Sequence, residues 1–354
     1  MVDESKLESE ITTDAVDFSF GELLNLHRDE EIIIRPEYQR LFRWSNEQRS
    51  RLIESVLLRL PIPPIFLVEN DDNVLELIDG LQRTSSVLQF LDHKAIGEPE
   101  LLLSGCDILP TLNGVTFNDL STSLKLKIKR TPIRAIIIKK SGDQYVKYEM
   151  FKRLNTGGSL LSAQEIRNCS SRMIDGGEEF YSALQALSTS ADFTTAIARL
   201  PEQNKERRGD EELVLRFFAV KNYRGGYKGN IEEWLDSYME DILLKQHPFD
   251  INTESAHFAR VFGLISSAFA DGAFSRFKAN GDSTGRLAPA YFEAVVGSVS
   301  EEIDALEAQD PLSLKVKLVE AFSLPDFVAS TGPGANSIEK FNKRIEVVKD
   351  CLLK

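Results

Sequence analysis

A chain of 354 residues, 42% hydrophobic and 27% charged, has the ordinary composition of a globular protein and room for two domains. Its formal net charge of −13 excludes a surface built throughout to coat nucleic acid, though not a local basic groove. No apolar run approaches the roughly 18 residues that cross a bilayer, the acidic start from Asp3 to Glu10 is unlike a signal or transit peptide, and Cys106, Cys169 and Cys351 are spaced too widely for a disulfide framework or a zinc site. A cytoplasmic location without membrane association is expected.

In chain order, residues 1–17 read as a tail, and Ile32, Ile33 and Ile34 as a strand followed by a polar and aromatic turn from Arg35 to Trp44. Ser45 with Gln48 is a capping-box pattern. Leu52, Ile53, Val56, Leu57 and Leu60 then mark the apolar face of a helix that Pro61, Pro63 and Pro64 must stop. Ile65 to Val68 predict a strand, as do Val74, Leu75, Leu77 and Ile78. Val87, Leu88, Phe90 and Leu91 recur at helical spacing, which places Gly80 at a strand-to-helix turn. Further strands are expected at Leu101–Leu103 and Ile133–Ile138. After Asp143 the pattern becomes helical, with a break at Asn155–Gly158, a new start near Ser162, and amphipathic segments around 177–189, 210–222, 231–245, 254–278, 288–308, 312–322 and 337–353. The expected architecture is an α+β domain over 18–170 and a mainly α-helical domain over 171–354.

Three segments carry candidate chemistry. At Asp79–Thr84 a helix N-terminus offers unpaired amides to an anion. Arg83 can add a planar fork of donors, and Asp79 can orient a metal, water or sugar hydroxyl. The same residues also read as a helix cap with a surface arginine. Arg35–Trp44 interleaves Tyr38, Phe42 and Trp44 with arginines, which suits bases, sugars and phosphates or, equally, core anchors ringed by surface charge. Asn155, Thr156, Gly157 and Gly158 can form an anion-binding nest or a plain capping turn. Two basic groups are also present, the second overlapping the Arg35–Trp44 segment. Seven basic residues and no acidic one lie between Lys125 and Lys140, and Arg35, Arg40, Arg43, Arg49 and Arg51 form the second group. Each can line a polyanion path or be a solvated face.

Taken in order, the Tyr38–Trp44 run, the Asp79–Thr84 turn and the Phe151–Gly158 segment resemble the domain of unknown function 262, the family of the GmrSD-type restriction systems, over roughly residues 18–245. Pro61–Leu67 and Asp210–Phe217 fit the same resemblance. It implies a ParB/sulfiredoxin-like fold for the first domain and bacterial defence against foreign or modified DNA, with binding or hydrolysis of a nucleoside triphosphate coupled to DNA recognition. Under that resemblance Gly80, Thr84, Tyr38, Arg40, Arg43 and Asn155–Gly158 bind the triphosphate with Mg²⁺, and Arg83 holds phosphate charge. Gln39 or Gln82 positions water, and Asp79 binds metal or acts as base. Leu81 stands where relatives carry a glutamine, which brings turnover into question.

His27, His93, His247 and His257 form no nuclease cluster, and no Walker-type loop is present. The expectation is an NTPase that meets DNA through local basic patches, with a separate nuclease or another defence-system subunit as a candidate partner. The alternatives are a non-catalytic nucleotide and DNA sensor, or a metal-dependent DNA nickase. The helical half is assigned to interdomain packing or homo-oligomerisation.

Overall fold

The computed structural model describes residues 13–34, 44–70, 72–139, 162–171, 174–278 and 281–354. The chain divides into two units, Met1–Ser159 and Leu160–Lys354.

The first unit contains β1 (Thr13–Ser19), α1 (Phe20–Arg28), β2 (Ile32–Ile33), α2 (Asn46–Leu58), β3 (Ile65–Glu69), β4 (Leu75–Asp79), α3 (Leu81–Asp92), α4 (Thr122–Arg130) and β5 (Pro132–Ile138). Among the described residues these strands form one mixed sheet in the order β1-β5-β3-β4-β2. The β1/β5 and β3/β4 pairs are antiparallel, and the β5/β3 and β4/β2 pairs are parallel. Side chains set the helix starts. Ser19 and Ser45 each accept the N3 amide of the following helix, while Glu22 and Gln48 bond back to the cap backbone. α2 ends where Arg59 turns left-handed at φ +57°, two residues before Pro61. Phe20, Leu23, Leu52, Ile53, Val87 and Leu88 from the helices close over Ile65, Leu67, Leu77, Ile133 and Ala135 of the sheet in one apolar cluster. This burial fixes the β4–α3 junction at the sheet's end.

Several stretches differ from what patterning predicts. Thr13–Asp17, expected in a tail, pair residue by residue with β5 from Ile138 back to Arg134. This strand is exposed along most of its length, so it shows no apolar alternation to read. Leu101–Leu103 is not a strand: Leu101 and Leu103 are buried, but Leu103 makes only a local exchange of backbone bonds with Gly114 and Val115 across a loop. The basic stretch Lys125–Arg130 lies in α4, a helix capped by Ser121.

The second unit is helical: α5 (Ala163–Ser171), α6 (Gly177–Ser188), α7 (Ala191–Ala196), α8 (Glu202–Lys205), α9 (Gly209–Asn222), α10 (Ile231–Leu243), α11 (Ile251–Phe269), α12 (Pro289–Glu301), α13 (Ile303–Leu306), α14 (Pro311–Ser323), α15 (Pro325–Thr331) and α16 (Ile338–Leu353), with a small hairpin of β6 (Arg276–Phe277) and β7 (Ser283–Thr284). The helix expected over 254–278 stops at Phe269, because Ala270 takes φ +49° and the chain then enters the hairpin. Residues 288–308 split into α12 and α13 at Glu302.

α9 and α12 are buried along most of their lengths, and Phe217 of α9, Phe193 of α7 and Phe258 and Phe262 of α11 form a cluster of ring contacts. Through this apolar interior runs an alternating chain of charges. Arg167 bonds Asp236 and Glu212, Arg216 bonds Glu212 and Glu293, and Arg344 bonds Glu293. No helix among the described residues is long and apolar enough to cross a membrane.

Candidate functional site at the β4–α3 turn

The turn begins where β4 ends. Asp79 lies opposite Phe66 at the edge of the β3/β4 pair, and Gly80 then takes φ +97° to reverse into α3. Glycine is required here on two counts. The left-handed backbone disfavours any side chain, and a Cβ would stand 2.5 Å from Cγ2 of Ile65. The close approach to β3 brings the first turn of α3 against the sheet. That turn receives no side-chain cap from the described residues, so its opening amides keep the partial positive charge of a helix N-terminus.

Arg83 sits in the first turn of α3 and is held from two sides. Its Nη2 donates to Oδ2 of Asp79 at 2.9 Å and to the carbonyl of Pro64 at 3.0 Å. Asp79 therefore positions the guanidinium, and Nη1 is uncommitted among the described residues. The pair is only 19% and 33% exposed, which makes it stronger than an open surface contact. Nε of Arg83, Oγ1 of Thr84 and Oγ of Ser85 are buried without a hydrogen-bond partner among the described residues, which leaves unmet polar capacity in this first turn. Gln82 accepts a bond from the Trp44 amide at 3.3 Å, tying the end of the aromatic and arginine segment to the turn. Trp44 itself is partly buried against the apolar core.

Leu81 faces inward. It is 5% exposed and belongs to the core cluster, so this position contributes packing, and a glutamine in its place would need a buried partner. Tyr38, Gln39, Arg40, Arg43, Asn155, Thr156, Gly157 and Gly158 lie outside the described residues. The structure thus brings Asp79, Gly80, Gln82, Arg83 and Thr84 together with Trp44. Among the described residues no three of His, Cys, Asp and Glu cluster as a metal site.

This strand, glycine turn and arginine-bearing helix fall inside a matched family model. Residues 20–171 match the GmrSD restriction endonuclease N-terminal domain, fewer than half of the residues in the chain. Residues 20–171 are a GmrSD-type N-terminal domain. No curated protein and no solved structure matches the chain.

Within the GmrSD-type domain the basic groups of the sequence separate into engaged and unengaged residues. Arg134 forks onto Asp17 at 2.9 and 3.1 Å, and its guanidinium lowers the Asp17 carboxyl below its ordinary value. Lys139 pairs with Asp14 and Glu69. Lys125 donates to the carbonyl of Asn118, and both Lys125 and Lys129 lie over the Phe117 ring. Arg49 donates to Gln89, and Arg51 approaches Asp107 at 3.8 Å. Lys127 and Arg130 make no ion pair among the described residues, and neither does Arg59.

Two contributors had no sequence signal. The Pro64 carbonyl that anchors Arg83 is a backbone group, visible only once β3 and α3 are placed side by side. Arg59 takes its place by a left-handed cap that usually calls for glycine or asparagine; the prolines after it mark the helix stop but not which side chain is presented there.

Proposed function

We propose that the chain is a restriction-type DNA-defence protein whose Asp79–Thr84 turn holds the phosphates of a nucleoside triphosphate, in a ParB/sulfiredoxin-like arrangement coupled to DNA recognition. The observation that carries this reading is the uncapped start of α3 beside a half-committed Arg83, inside a GmrSD-type domain. Helix-start amides and a fixed guanidinium together suit a phosphate better than either alone. Gly80 lets the backbone approach without a Cβ in the way, and Nη1 of Arg83 is the donor left for the ligand. Mg²⁺ fits as a companion of the triphosphate: such ions take one or two carboxylates plus phosphate oxygens, and Asp79 offers Oδ1, which Arg83 does not occupy. When bound, the ion neutralises phosphate charge. Tyr38, Arg40, Arg43 and Asn155–Gly158 would complete the site, with Gln39 or Gln82 orienting water. Cutting of DNA would fall to a separate subunit.

A second reading is favoured by the Gln82 contact. Its side-chain carbonyl is engaged by the Trp44 amide, which leaves it poorly placed to orient an attacking water. The turn would then bind nucleotide as a sensor without hydrolysing it. Phosphate release by the full chain, measured for each of the four triphosphates with and without DNA, separates the two. Release stimulated by DNA supports the hydrolytic form. Tight binding without release in any combination supports the sensor, and neither binding nor release removes both.

A further inference from the structure

The charges of α4 and β5 do not form one basic face. Once Arg134 and Lys139 are neutralised and Lys125 and Lys129 are spread over Phe117, the unengaged cations of this run among the described residues are Lys127 and Arg130. Both line a groove of about 670 Å³ between α4 and the end of α2, where Arg59 joins them. None of the described lining residues is acidic. In a chain of net charge −13, three cations around one concavity without a counter-ion among the described residues make a local reversal of potential. Leu60 and Leu126, 45% and 40% exposed, add apolar surface among them.

Arg59 supplies a second observation. It occupies a left-handed cap, φ +57° and ψ 33°, where a Cβ is disfavoured and glycine is the usual residue. A long cationic side chain stands at a position whose backbone favours none, and that side chain lines the groove.

We infer that this groove is a binding site apart from the Asp79–Thr84 turn and takes the phosphodiester backbone of DNA. Arg59, Lys127 and Arg130 contact phosphates, and Leu60 and Leu126 meet the sugars. The choice of DNA among polyanions rests on the defence reading above; the location rests on charge and shape.

The test is the salt dependence of binding by the full chain, without nucleotide, to a fluorescein-labelled 20-base-pair duplex and to its single strand. Each phosphate contact contributes about 0.9 to the slope of log affinity against log salt for duplex and about 0.7 for single strand. Arg59→Gly, Lys127→Gln and Arg130→Gln should each flatten the slope by about one contact, whereas Arg134→Gln should leave it unchanged. Arg59→Gly should also keep or raise Tm, because it relieves the left-handed cap, so its loss of affinity cannot be unfolding. The larger variant effect, on duplex or on single strand, identifies which form docks. Wild-type binding whose slope ignores all three groove variants overturns the inference and leaves the defence reading standing. Poly-glutamate bound more tightly than either DNA, and released by the same variants, makes the groove a docking site for acidic peptide and overturns it too. No DNA binding at low salt removes both.

Discussion

The two units handle charge in opposite ways. In the helical unit the buried cations bond buried or half-buried carboxylates, and Arg167, Glu212, Arg216, Glu293 and Arg344 alternate in a chain of ion pairs through the interior. In the GmrSD-type unit the polar groups of interest are left partly unspent. Among the described residues the start of α3 lacks a side-chain cap, Arg83 uses one of its two terminal nitrogens on protein acceptors, and Lys127, Arg130 and Arg59 border a groove without acids. Nε of Arg216 and Nε of Arg344 are also buried without a hydrogen-bond partner among the described residues, so the difference lies in ion pairing: the buried arginines of the second unit are tied to carboxylates, whereas Lys127, Arg130 and Arg59 make no ion pair among the described residues. The proposed ligand chemistry lies in the first unit, and the buried ion pairs of the second serve its architecture.

The largest expected effect breaks this chain of ion pairs. Arg216→Met leaves Glu293, 2% exposed, with Arg344 alone and strips Glu212 of its i,i+4 partner. Removing one member of a buried pair costs about 3–5 kcal/mol, measurable by denaturant unfolding of the full chain. The acid limb of stability should move as well. Burial works against ionisation of Glu212, yet the guanidinium groups of Arg216 and Arg167 hold its carboxyl below the usual range. A lowered value gives stability that is present above the ordinary carboxylate pKa and lost as pH falls through the lowered one. Without Arg216 that window narrows, so acid unfolding should begin at higher pH than in the wild type. An unchanged acid midpoint would break the assignment of this network to architecture.

A smaller effect sharpens the other side of the contrast. Gly80→Ala sets a Cβ against Ile65 in a left-handed backbone, and the strain and overpacking together cost about 2–4 kcal/mol. Because the clash lies at the ligand turn, nucleotide affinity should fall even in conditions where circular dichroism reports a folded chain. A variant of wild-type stability and affinity would show that the close approach of the turn to β3 is not needed.

Much of the sheet and the boundaries of α2 were legible from residues alone. Ser45 with Gln48, the helical spacing of Leu52 to Leu57 and the prolines after Leu60 are local signals, and local signals survive folding. β1 was not legible, since its two aspartates serve ion pairs with Arg134 and Lys139 that exist only across the sheet. Leu101–Leu103 misled for the complementary reason: alternating burial can be met by a loop tucked against α2, where Asn46 bonds the Leu102 carbonyl and no ladder forms. At the turn itself, the sequence placed Gly80 and Arg83 together but did not reveal that Asp79 and the Pro64 carbonyl hold the arginine. Nor did it show that Leu81, read there as a lost polar group, faces the core. The basic run from Lys125 to Lys139 was visible as charge, while its partition into paired and unpaired residues depended on acids more than 100 residues away in the chain, such as Asp17 for Arg134.

The central claim is that Arg83 and the start of α3 bind phosphate. Calorimetric titration of the four nucleoside triphosphates with Mg²⁺ into the full wild-type chain and into Arg83→Ala tests it most directly. The account predicts binding of at least one triphosphate to the wild type, with a loss of tenfold or more in the variant, since charge-assisted hydrogen bonds contribute about 1.5–3 kcal/mol. Equal affinity in a folded Arg83→Ala chain would contradict it.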